Sequence, residues 1–395
     1  MNNIYILGGA RTAFTAFGGS FQSVNSTELG TVTAVEALKR AEVEGKEIDQ
    51  VVYGNVIHSS TNAAYLARHI ALKADVPIET PALTVNRLCG SGMQSIISAA
   101  QNIRLGESNL ALVGGAENMT MSPHSNFTSR FSGVKYGSFQ FEDMLLNTLT
   151  DQYTGIGMGI TAENLADKYE ISREEQDEFA LLSQQRATEA IQSGIFAEEI
   201  TAVEVSSRGG SKQILEDEHV KKDMTFEKLA ALKPSFRKDG TVTAGNASGI
   251  NDGAASLILS SEAEVKKRNQ KPLAKIVSWG ICGVDPSIMG IGPVPAIQQA
   301  LQRAELTLEQ MDRIEINEAF AAQYLAVEKE LGLDRNKTNV HGGAIALGHP
   351  VGASGSRIVL SLANELRRNG LRYGVASLCI GGGQGIAVVI ENENV

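Results

Sequence analysis

The sequence predicts an α/β fold built from two duplicated βα halves, with a lobe inserted in the first half. Three observations predict it. ALKRAEVEGKEID at 37–49 is matched without a gap by ALQRAELTLEQMD at 300–312, an offset of 263 positions (37 to 300). CGSGMQSIISAAQNIR at 89–104 aligns at the same offset with GASGSRIVLSLANELR at 352–367, placing Ser91-Gly92 on Ser354-Gly355 and Arg104 on Arg367. Each half also alternates β-rich runs with helical runs, the pattern of helices layered on a sheet. Two matches at one offset mark an internal duplication.

The elements follow in order. Ile4 to Leu7 reads as a first strand entering a glycine turn. The helical blocks at 37–49 and 300–312 each lead into a strand, Val51-Val52-Tyr53 and Ile314-Glu315-Ile316. In VNRLCGSGMQSIISAA a β-rich run ends at Cys89 and a helix begins just after it. The helix EEQDEFALLSQQRATEAIQSG is opened by Ser172, with Glu175 three residues on, a capping box. GAASLILSS at 253–261 reads as a strand returning to the first sheet, and NQKP at 269–272 as a linker. The expected domains are residues 1–120 plus 251–270, an inserted lobe at 121–250, and a second half at 271–395.

Composition narrows the function. Glycine is in excess, 40 of 395 residues, with only 9 prolines and no short period. That excludes collagen-like and low-complexity chains and points to many tight turns or close backbone approaches. A net charge of −10 argues against a nucleic-acid protein, which needs clustered Lys and Arg. A small anion held by amides at a helix start stays open. No run reaches the roughly 18 apolar residues of a membrane span, and MNNIYILGGARTAF lacks the basic-then-apolar pattern of a secretory signal. Three cysteines without CxxC make a poor disulfide framework, so a reducing, cytoplasmic setting is expected.

Several residues are candidates for chemistry. Cys89 stands at a helix start, where free amides are expected to lower a thiol pKa; its bland alternative is a buried small hydrophobe. Gly90 and Gly92 would let backbone approach a ligand. Cys379 runs into Gly381, Gly382, Gly383 and Gly385, a potential anion nest. His349 lies just before the second repeat's helix and corresponds to Asn86 at the 263 offset. If the halves pack about a pseudo-twofold axis, it comes near Cys89, a thiol–imidazole arrangement; alone, it reads as a surface residue. Asn317 is either an oxyanion donor or a helix cap. Cys282 reads as packing. No metal-ligand spacing and no P-loop occur.

The pattern resembles the thiolase family from residue 4 to about 392. The resemblance rests on NRLCGSG around Cys89, AGNASGINDGA (244–254), NEAFA (317–321), GGAIALGHPVGASGSR (342–357) and CIGGGQG (379–385). It is nearest to 3-ketoacyl-CoA thiolases of the mitochondrial fatty-acid-oxidation type, with acetoacetyl-CoA thiolases close by. It implies a five-layer α-β-α-β-α arrangement with an inserted loop domain holding CoA, no bound prosthetic group, and a homodimer or homotetramer. GVKYG at 133–137 resembles the loop by which relatives form tetramers. The implied roles are Cys89 as nucleophile, His349 as its base and Cys379 as the acid/base at C2. Asn317, with a water and His349, would hold the enolate, and the amides of Cys89 and Gly381 the tetrahedral oxyanion. Ser248, Ala244, Ala247, Gly249, Phe236, Leu149, Met158, Met289, Ala319 and Phe320 match the CoA groove, and Lys221 falls near a phosphate-contacting position.

Two departures stand out. Gly157 replaces the histidine that acetoacetyl-CoA thiolases commonly carry before Met158, leaving room for longer acyl chains. His341 replaces a usual asparagine near the site. The expected activity is reversible cleavage of 3-ketoacyl-CoA or Claisen condensation of acetyl-CoA. Alternatives are a decarboxylating condensing enzyme, a non-catalytic acyl-CoA carrier and a Cys89–Cys379 redox pair.

Overall fold

The computed structural model describes residues 3–133, 135–207 and 210–395. Ten strands form one sheet. The first half contributes β1 (Ile4–Arg11), β2 (Thr15–Ala16), β3 (Gln50–Gly54), β4 (Ala82–Val85), β5 (Leu110–Asn118) and β6 (Asn251–Ser261). The second contributes β7 (Ala274–Gly283), β8 (Arg313–Ile316), β9 (Tyr373–Ile380) and β10 (Gln384–Glu391). Their order is β8-β9-β10-β7-β1-β6-β5-β3-β4, with β2 on β6. Leaving aside edge strand β4, the order is a palindrome. β3–β5 and β8–β9 are parallel; β5–β6, β9–β10, β6–β1 and β10–β7 are antiparallel. The halves meet where Ile4–Ile6 runs antiparallel to Ala274–Ile276. The duplication seen at one offset is thus repeated in the sheet.

The main helices are α1 (Ser26–Arg40), α2 (Leu66–Lys73), α3 (Ser91–Leu105), α4 (Met158–Lys168), α5 (Arg173–Gln192), α6 (Pro293–Ala304), α7 (Ala321–Leu331) and α8 (Val351–Arg368). Strand periodicity sorts side chains between helix layers. In β1, Tyr5 and Leu7 join the core with α1 and α2, whereas Ile4 and Ile6 face α3 and α8. In β10, Ile386, Val388 and Ile390 face the same central pair, and Ala387 and Val389 face α6 and α7. The result is five layers, α-β-α-β-α.

Small residues let the central helices touch. A Cβ on Gly92 would stand 2.7 Å from the Ser356 amide, and one on Gly355 2.3 Å from that of Met93. The space beside Gly90 is filled by the Ile380 side chain. Gly90 and Gly92 therefore serve packing between the halves, which corrects the expectation that they admit a ligand.

The insertion carries α4, α5 and the hairpin Val203–Ser207/Gly210–Ile214. Helix α5 starts at the expected box: the Ser172 side chain accepts from the Glu175 amide, and Glu175 returns the bond. The lobe docks on the second half as a short ladder. Ala247 bridges Phe320, the Ser248 amide donates to Ala319 (2.9 Å), and the Ala321 amide to Asn246 (2.8 Å). Val134, within the 133–137 segment, lies outside the described residues. No helix among the described residues is long and apolar enough to cross a membrane.

Candidate active site

Cys89 sits on a tight turn between β4 and α3. Leu88, just before it, has φ 47°, the left-handed region that leucine rarely enters. Side chains hold the turn. Asn86 Oδ1 accepts from the Leu88 amide (2.9 Å), while Ser91 Oγ accepts from the Arg87 amide (2.8 Å) and donates to the Leu88 carbonyl (2.6 Å). The turn presents a half-buried thiol against Ile57, Met119, Leu145 and Val351. Burial pushes the Cys89 thiol up, against the pull of the Gly381 N–H. This reverses the expectation of a lowered pKa: desolvation of the thiolate outweighs the donors at the helix start. Ionising this thiol at neutral pH therefore calls for a base.

His349 reaches the site from the other half, in the loop opening α8. It is buried, and its backbone N–H donates to Asn251 Oδ1 (2.9 Å). Its Nδ1 lies 2.6 Å from Ser354 Oγ and its Nε2 3.4 Å from Asn317 Nδ2. Burial and the nearby Arg357 charge push its pKa down to about 4, so the imidazole is neutral and its Nε2 can take a proton. Asn317 extends β8, its amide donating to Ser377 (2.9 Å) two residues before Cys379. The following helix begins only at Ala321, so Asn317 is not its cap. Among the described residues the buried Asn317 Oδ1 has no hydrogen-bond partner, which suits an acceptor for a donor such as water. Cys379 is buried at the end of β9; burial, then the neighbouring Cys89, push its thiol up. The two thiols thus neighbour one another, the imidazole meets the carboxamide, and the pairs are tied by Asn317 on Ser377 and by Val351 on Cys89.

Two carboxylates hold the site together, and neither was a sequence candidate for chemistry. Glu117, buried at the end of β5, accepts from Asn55 Nδ2 (3.1 Å) and the amides of Val56 (2.9 Å), Ile57 (3.1 Å) and Gly352 (3.1 Å). It ties the loop after β3 to the start of α8. Burial pushes its pKa up to about 8, against the pull of these donors. Glu318 accepts from Ser183 on α5 (2.6 Å) and from Asn339 (2.9 Å), anchoring the insertion to the His349 loop. A charged residue inside the apolar run LALVGGAEN was the available signal for Glu117. Ser354 was unmarked among the small residues of VGASGSR.

The expected groove residues separate into sets. Ala247, Ala319 and Phe320 form the docking ladder, with Phe236 edge-on to Phe320 at 6.0 Å and Ser248 and Gly249 beside it. Ala244 is exposed. Met289 is buried in the core with Ala247, Ala319 and Phe320. Met158 donates its amide to Leu149 (2.9 Å), and its sulfur is the nearest atom to a Cβ placed on Gly381. A cavity of about 230 Å³ opens here between Leu88, Met158, Gly381, Gly382 and the 147–152 segment. A Cβ on Gly157 would meet only the Leu149 carbonyl, at 3.7 Å. Lys221 lies farther out, lining an open pocket with Lys222 and Lys228. His341 turns to Glu365 (2.7 Å). Cys282, half-buried on β7, pairs in register with Gly385. No cluster among the described residues is arranged to hold a metal ion.

Similarity to known proteins agrees with this geometry. The signature "Thiolase, N-terminal domain" matches residues 4–263 and "Thiolase, C-terminal domain" residues 270–392. The mitochondrial 3-ketoacyl-CoA thiolase of Homo sapiens is 52% identical over 393 residues, covering 99% of each chain. The acetyl-CoA acetyltransferase of Rhizobium meliloti is 46% identical over 390 residues, 98% of each. Among solved structures, human mitochondrial 3-ketoacyl-CoA thiolase in complex with CoA superposes with TM-score 0.96 at 51% identity, covering 99% of this chain and 98% of that one. With both halves matched almost end to end, the chain belongs to the thiolase family.

Proposed function

We propose that this chain is an acyltransferase that cleaves 3-ketoacyl-CoA with CoA to acetyl-CoA and a shortened acyl-CoA, through a Cys89 acyl-enzyme. Claisen condensation of acetyl-CoA is the reverse. One observation carries the reading: Cys89, with the Gly381 N–H aimed at its sulfur, neighbours Cys379 and packs on Val351, two residues after a neutral His349.

His349 Nε2 takes the Cys89 proton, and the thiolate attacks the C3 carbonyl. The resulting oxyanion is held by the amides of Cys89 and Gly381. The C2–C3 bond breaks, leaving acetyl-CoA as an enolate whose oxygen faces His349 and an Asn317-bound water. The Cys379 thiol protonates C2. CoA then attacks the Cys89 thioester; Cys379 recovers its proton from the incoming thiol, and Cys89 leaves as a thiolate that takes back the proton held on His349. Both cysteines need their protons at rest, which suits thiols pushed up by burial.

The open space at Gly157 supports acyl chains longer than four carbons. Edge strand β4, with Leu83 51% exposed, supports pairing with a second copy as a homodimer or homotetramer. Cysteine rather than a second histidine at position 379 disfavours decarboxylative condensation. The decisive test is Cys89→Ala, measured by thiolysis, condensation and CoA binding. Both activities are expected to vanish with CoA binding intact; retained thiolysis would sink the reading.

A further inference from the structure

The side of His349 that faces away from Asn317 is occupied by a serine whose hydroxyl has two partners. Ser354 lies on the first turn of α8, buried, with Oγ 2.6 Å from His349 Nδ1. Its hydroxyl has one proton, and the Pro350 carbonyl, a pure acceptor, lies 3.0 Å from the same Oγ. With that proton directed to Pro350, whose carbonyl also accepts from the Ala353 and Ser354 amides, Oγ accepts from the ring, an arrangement that places a proton on Nδ1. At the opposite nitrogen the contact is Asn317 Nδ2, a donor at 3.4 Å. Both contacts suit the same tautomer, with Nδ1 protonated and Nε2 bare.

The first repeat holds the counterpart. Ser91, 263 positions earlier, also donates to a carbonyl preceding its helix, that of Leu88, but accepts from the Arg87 backbone amide. In one half this serine shapes the turn that presents the nucleophile; in the other it grips the ring of the base.

We propose that Ser354 is a positioning residue that fixes the Nδ1–H tautomer and orientation of His349, so that Nε2 is the proton acceptor for Cys89. The proposal rests on the reading of His349 as that base. The proton leaves Cys89 Sγ for Nε2, Nδ1–H stays on Ser354, and a thiolate–imidazolium pair results, with charge conserved. A positive ring gains most from an acceptor on its far nitrogen, since Arg357 on the same helix opposes that charge. Across the site lie Cys89 and Cys379, with Glu117 of β5 beside Cys89. Without Ser354 the ring is free to carry its proton on Nε2, where it cannot act as a base.

The test compares wild type, Ser354→Ala, Ser354→Thr and Cys89→Ala. In Ser354→Ala, thiolysis kcat is expected to fall about 10- to 100-fold, the usual scale for losing a partner that orients a functional histidine. KM for CoA should stay within about twofold, and the pH profile of Cys89 alkylation by iodoacetamide should move alkaline. Threonine, which keeps the hydroxyl, should restore most of kcat. NMR of isotope-labelled histidine reads the tautomer without activity: wild-type His349 should be protonated on Nδ1 alone, and a mixture should appear in Ser354→Ala. Wild-type His349 protonated on Nε2, or a Ser354→Ala enzyme with unchanged kcat and alkylation profile, overturns the proposal. An active Cys89→Ala enzyme would instead overturn the reading beneath it.

Discussion

His349 is buried uncharged, and that has a price at acid pH. Its pKa lies at about 4 in the folded chain against an ordinary 6.5. Between these values the unfolded chain binds a proton that the native state refuses, so stability is lost as pH falls from 6.5 towards 4. The shift corresponds to about 3 kcal/mol. Urea unfolding at pH 7 and pH 5 should show a loss in wild type that is clearly smaller in His349→Asn; equal losses would contradict it. At this scale the sequence named Cys89, Asn317, His349 and Cys379, because motif residues keep their identity whatever surrounds them. It missed the direction of the Cys89 shift, which is set by how much water the folded site excludes. It also missed Ser354 and Glu117, whose importance lies in partners 5 and 235 positions away.

Elements meet in this fold where side chains are absent. Gly115 on β5 faces the first turn of α8, and a Cβ there would stand 1.9 Å from the Gly352 carbonyl. Neither the strand nor the helix can yield without moving Glu117, whose Oε2 accepts from the Gly352 amide, or the His349 loop. Gly115→Ala should therefore destabilise by about 1–3 kcal/mol or more, the scale of overpacking. It should also lower kcat, because the helix start that seats His349 is displaced. Denaturant midpoint and steady-state thiolysis check both, and an unperturbed midpoint would show that the contact yields freely. Helix starts such as the Ser172 box were legible locally, since a cap involves residues three apart. Packing glycines were not: Gly92 reads identically whether it faces a ligand or a helix.

At the scale of the molecule, the insertion borders the duplicated core beside the Cys89 turn. It contributes Leu149, Met158 and the ladder at Ala247, and Gly157 leaves space where a side chain would point. Thiolysis of acetoacetyl-, 3-ketohexanoyl- and 3-ketodecanoyl-CoA should show activity beyond four carbons. Gly157→His should cut the longest substrate relative to the shortest by roughly 10-fold, the scale of adding bulk to an apolar pocket. Activity confined to acetoacetyl-CoA in the unmodified chain would overturn this. The sequence by itself determined the duplication, the α/β class and the candidate residues, because repeats and motifs are linear patterns with local causes. Only the tertiary structure decided that β1 and β7 join the halves into one palindromic sheet and that His349 meets Asn317 and Ser354. It also decided that Gly92 packs the central helices and Gly90 meets Ile380 of β9. Those outcomes depend on burial and on contacts between residues far apart in the chain, and no local pattern records them.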